Sequence, residues 1–135
     1  MPKRRRGPRR PRRQPHHHRP FEVLVAEALA GIPEPFRSAL DEVAIVIDDE
    51  PSPEQRWAGG LAPDETLYGL YEGIPRTEWG GDWVPVPNKI TLFRLPLEAD
   101  FPDPAELARE VRLTVAHELA HHLGIDDARL RELGL

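Results

Sequence analysis

The run from His117 to Asp127, HELAHHLGIDD, restricts this chain more than any other segment. Its first five residues read His-Glu-x-x-His. On a helix that spacing puts two imidazoles one turn apart on the same face, where neutral rings can grip one zinc ion. Glu118, beside the first, is placed to take a proton from a water that the metal has made acidic. Gly124 follows His121 by three residues, where a helix that ends in a left-handed turn favours glycine. Asp127 stands three residues further on, where the reversed chain can bring a carboxylate back to the histidines. Asp126 and water are the alternatives as third ligand. Both aspartates also stand where a following helix, DARLREL, begins, and Asp is favoured there as a cap and a dipole partner. The roles are compatible if Asp126 caps and Asp127 binds.

Composition does not manufacture this pattern, because residues 21–135 hold only three histidines, His117, His121 and His122. The third lies five residues after His117, about 140° around a helix. It therefore falls off the metal face and is expected to support or pack behind it. There is no cysteine, so disulfides and thiolate metal sites are excluded. No apolar stretch approaches the roughly 18 residues of a membrane span, and a chain of 135 residues is long enough for one domain with its own core.

The net charge of −5 conceals a division. Residues 1–20, MPKRRRGPRRPRRQPHHHRP, carry Lys3, eight arginines and five prolines with no acid. Residues 21–135 carry all 23 acids against nine basic residues, a net of −14. The first segment has nothing to bury and is expected to be a disordered arm. Through residues 3–19 it is suited to contact an acidic partner or a phosphate backbone weakly, although no aromatic is interleaved to stack on bases. A secretory signal is not expected, since Glu22 and Glu27 interrupt the following apolar stretch. The cytoplasm is the expected location.

From residue 21 onward helix and strand patterns alternate. Phe21, Leu24, Val25, Ala28, Leu29 and Ile32 recur at helical spacing and predict a helix over 21–31. A short second helix begins at Pro33 and Pro35 and buries Phe36 and Leu40. Strands are expected at 43–47, 67–71 and 89–94, with a polar break over 48–55 and a Gly/Pro-rich loop holding Trp79 and Trp83. Asp103, Pro104 and Glu106 start a long helix that runs to Leu123, with the metal motif at its C-terminal end.

Together, the Gly69-Leu70-Tyr71-Glu72-Gly73 strand and turn, the Leu92-Phe93 strand and the TVAHELAHHLGIDD segment at 114–127 resemble the minimal zincins. These are small bacterial zinc metallopeptidases, and the resemblance covers about residues 21–135. It implies an α+β fold in which a small mixed sheet packs against helices and the zinc motif lies on the long C-terminal helix. It implies Zn2+ as cofactor, His117, His121 and Asp127 as its ligands, Glu118 as catalytic base, and a peptide or protein as substrate. The glycine-then-aspartate order also resembles the metzincins, which add a methionine turn beneath the metal. Here the only methionine is Met1. Tyr68 and Tyr71 are candidates for an oxyanion donor, with simple packing as the plainer reading of each. An extended peptide would add to the strand at 67–71 or 89–94. The competing functions are a zinc-binding module without turnover and nucleic-acid association through the arm.

Overall fold

A computed structural model of the chain describes residues 6–8, 20–73 and 88–135. The described elements are β1 (Arg6–Pro8), α1 (Phe21–Ala30), α2 (Phe36–Ala39) continued by a 3-10 turn (Leu40–Glu42), β2 (Ala44–Asp48), α3 (Pro53–Ala58), β3 (Glu65–Leu67), β4 (Gly69–Glu72), β5 (Lys89–Phe93), α4 (Arg94–Asp100), α5 (Pro104–Leu123) and α6 (Asp127–Glu132). The fold is α+β, as expected. The Gly/Pro-rich loop with Trp79 and Trp83 lies outside the described residues, as does most of the basic arm. Within that arm, Arg6–Pro8 form a strand antiparallel to β3, with Gly7 opposite Thr66.

The main sheet has the order β2-β5-β4, with β2 parallel and β4 antiparallel to β5. A parallel pair needs a long crossover, and the whole chain between Asp48 and Lys89 supplies it. Because β5 is central, Ile90 and Leu92 face the helices while Phe93 joins Leu67 and Leu70 in a smaller cluster. Burial on both faces explains why apolar side chains stand on both, Ile90 and Leu92 on one and Phe93 on the other. It also corrects one expectation: β5 is hydrogen-bonded along both edges and cannot host an added peptide. β4 ends the sheet.

The helix that carries the metal motif is the fold's main beam. Asp103 caps it by accepting the Glu106 N–H at 3.0 Å, and Pro104 occupies the first turn. Leu107, Val111, Val115 and Leu119 lie fully within the core, and each buried leucine contributes roughly 1.5–3 kcal/mol through removal from water. α5 packs against α1, α2, α4, β4 and β5. Phe21, Leu24, Val25 and Ala28 of α1 are buried in that core, with Ile32 just beyond its end.

Other differences from the sequence expectations have local causes. The strand expected at 67–71 divides into β3 and β4 at Tyr68, whose carbonyl accepts the Phe93 N–H at 3.0 Å. Helix α3 begins inside the expected polar break and extends past it. Ser52 and Gln55 form a reciprocal capping box with Pro53 in the first turn, a start signal carried by the sequence itself. Helix α4 begins where β5 was expected to finish. Arg94 at its start bonds Asp49 at 2.7 Å and Glu98 at 2.8 Å, and Asp49 above all stabilises its guanidinium in the charged form.

One glycine controls how closely sheet and helix meet. A Cβ on Gly69 would stand 2.6 Å from Cγ2 of Thr114 on α5. β4 can lie against α5 only with hydrogen at that position. Gly69→Ala is expected to cost about 1–3 kcal/mol, the usual scale of overpacking. Thr114→Ser, which removes the opposing methyl, should recover much of that loss. Urea unfolding of the two single variants and the double variant measures both effects.

Candidate metal and catalytic site

The end of α5 builds the site. Gly124 takes the left-handed conformation at φ 73°, and the next residue, Ile125, donates its N–H to the Ala120 carbonyl at 2.8 Å. This closure satisfies the last carbonyls of the helix and turns the chain back beside its final turn. Asp126 then caps α6, accepting the Arg129 N–H at 2.9 Å. Leu130, 2% exposed, anchors α6 in the core.

The reversal lines one cleft of about 230 Å³ with His117, His121, Gly124, Ile125, Asp126, Asp127 and Leu130. His117, His121 and Asp127 are half-buried there. Two imidazoles and two carboxylates face the cleft, and among the described residues no lysine or arginine lines it. That donor set fits zinc, which takes nitrogen and carboxylate oxygen together. The side chains share a cleft rather than a single point: among the described residues no three or more His, Cys, Asp or Glu are gathered as a metal-binding group. Asp126 has the capping role that its sequence position allowed, and Asp127 opens α6.

Glu118 lies one position around the helix from His117, facing the sheet. It is fully buried, and its Oε1 accepts the backbone N–H of Tyr71 on β4 at 2.7 Å. That hydrogen bond fixes the orientation of the carboxylate. The close approach that Gly69 permits is what brings this N–H to the helix. The Tyr71 ring meets His121 edge-on, with ring centroids 5.2 Å apart.

Neither tyrosine directs its phenol into the cleft. Tyr68 bonds Asp100 at 2.5 Å, and Tyr71 bonds Asn88 at 3.3 Å and His122 at 3.0 Å. His122 is fully buried, with its other nitrogen 2.7 Å from Glu42. The supporting place expected for His122 has therefore acquired partners that sequence reasoning missed. Glu42 precedes it by 80 residues and carries no motif that would single it out. Tyr71 contributes its main chain, to which sequence motifs are blind.

A family model described as a zincin-like metallopeptidase matches residues 40–135, and the chain belongs to that family. No curated protein is similar enough to match. No helix among the described residues is long and apolar enough to cross a membrane. Within the site, Asp126→Ala is expected to lower stability by about 1 kcal/mol through loss of the cap, with Asp126→Ser recovering most of it. Equilibrium denaturation of the two variants tests the assignment.

Proposed function

We propose that the protein is a zinc-dependent peptidase in which His117, His121 and Asp127 hold the metal and Glu118 is the general base. The observation that carries this reading is the single cleft lined by both histidines and Asp127, with Glu118 on the same helix oriented by Tyr71. A zinc ion bound there would act as a Lewis acid, polarising a peptide carbonyl and acidifying water. Glu118 takes the proton of the attacking water and then passes it to the departing amine. The Tyr71 N–H holds the carboxylate in one orientation for both transfers. Burial of Glu118 keeps bulk water away from it and strengthens its electrostatic coupling to its neighbours.

The substrate reading follows from shape and charge. A cleft of about 230 Å³ is smaller than the pockets that enclose drug-sized ligands, which suits an extended peptide passing over the site. β4, which ends the sheet among the described residues, is the remaining host for β-addition, through main-chain groups other than the Tyr71 N–H that Glu118 holds. The net charge of −14 over residues 21–135 steers basic peptides towards the domain.

Elemental analysis of the purified protein should find one zinc per chain, lost in His117→Ala and weakened in Asp127→Ala. Glu118→Gln should retain zinc while peptide hydrolysis falls by about a hundredfold or more, the scale of general-base loss. Absence of zinc from the parent protein would remove the whole proposal. A zinc-loaded parent inert towards a broad peptide library, with a silent Glu118→Gln, would make the domain a zinc-binding module without turnover.

A further inference from the structure

A chain of buried polar groups runs behind the cleft. Glu42 Oε2 lies 2.7 Å from Nε2 of His122, whose Nδ1 lies 3.0 Å from the Tyr71 hydroxyl. Asn88 meets the same hydroxyl at 3.3 Å. His122 is wholly enclosed, Tyr71 is 4% and Asn88 9% exposed, and Glu42, with a side chain 29% exposed, is the most open of the four. The imidazole is thus held at both nitrogens, by the carboxylate at Nε2 and by the phenol at Nδ1. Asn88 closes the far end, where its Oδ1 accepts from the phenol at 3.3 Å. Gly73 makes room for it: a Cβ there would collide with the Asn88 side chain, and φ is 145°.

Such a chain is costly to bury. Apolar residues of equal volume would fill the space at less desolvation cost. What it achieves is geometric, because it fixes the one residue that touches both halves of the candidate site. Tyr71 gives its N–H to Glu118 at 2.7 Å and its ring face or edge to His121 at 5.2 Å between centroids. Its hydroxyl, at the other end of a rigid side chain, is gripped by His122. With that grip in place, neither the backbone at Tyr71 nor its ring can rotate away from α5.

We infer that Glu42 and His122 are positioning residues: through the hydroxyl of Tyr71 they hold its backbone N–H on Glu118 and its ring against His121. The functional consequence rests on the zinc-peptidase reading above, whereas the mechanical coupling does not. Outer partners of this kind orient metal ligands elsewhere by direct contact with the ligand. Here the restraint reaches the base and a histidine through a third residue, and it originates 76 residues before Glu118.

The metal-free protein tests the coupling. Glu42→Leu removes the acceptor, Glu42→Gln keeps one, and His122→Phe keeps a ring without nitrogen. In Glu42→Leu and His122→Phe, amide hydrogen exchange at Tyr71 should quicken by about tenfold or more relative to Val111 in the core, the equivalent of one net hydrogen bond. The ring-proton resonances of His121 should shift as the Tyr71 ring current moves. Glu42→Gln should stay within about threefold of the parent, with those resonances unmoved, because it restores the acceptor. In the zinc-loaded protein, Glu42→Leu should lower kcat by severalfold with little change in KM, as expected for a group that acts on the reacting centre and not on substrate binding.

Unchanged Tyr71 exchange and His121 resonances in Glu42→Leu and His122→Phe would overturn the inference. So would equal effects of the leucine and glutamine variants at position 42, since packing alone would then explain them. A parent protein that binds no zinc would instead defeat the preceding proposal, and the metal-free measurements would still decide this one.

Discussion

The contact between β4 and α5 is the constraint on which the rest of the structure turns. It consists of a missing side chain and one hydrogen bond. Gly69 lets the strand approach Thr114, and two residues later the Tyr71 N–H reaches Glu118. A buried carboxylate without such a donor would pay the full cost of desolvation. Here the sheet edge supplies the donor and the helix supplies the charge. Sheet and helix are locked in register at the point where the chemistry of this family is expected to occur.

Around that contact the molecule puts two unlike environments on one helix. On one side, Glu118 and His122 are wrapped in the sheet and in the 3-10 turn that carries Glu42. On the other, His117 and His121 open towards the returning chain at Asp126 and Asp127. The separation follows from 100° per residue: positions 117 and 121 share a stripe, while 118 and 122 share the next. Adjacent pairs in the string His-Glu-x-x-His-His are thus divided between cleft and interior. The αL turn at Gly124 completes the cleft without any contribution from the sheet, since α6 is held by its own cap and by Leu130.

Legibility varied with the range of the interaction. Helices α1 and α5, the glycine turn and the start of α6 depend on contacts within a few residues, and their periodicity and capping residues announced them. Strand β5 was legible as a run of β-branched and apolar residues, but not its central position, which depends on pairing with β2 some 45 residues earlier. Its loss as a peptide host followed directly. α3 was overlooked although Ser52, Pro53 and Gln55 spell its capping box, because the surrounding acids read as a polar loop. The break at Tyr68 has no comparable signal, since both halves favour strand.

The sequence by itself determined that two imidazoles, a glutamate, a glycine turn and two aspartates follow one another at helical spacing. These are local relations, set by the rise and twist of one helix and the φ that glycine permits. Only the tertiary structure decided which neighbours complete them: a main-chain N–H on Glu118, a phenol and Glu42 on His122, and a cap for Asp126 that leaves Asp127 beside the histidines. Those partners come from strands and turns tens of residues away. Their proximity is set by packing density and by the absence of a Cβ at Gly69, neither of which leaves a periodic trace in the chain.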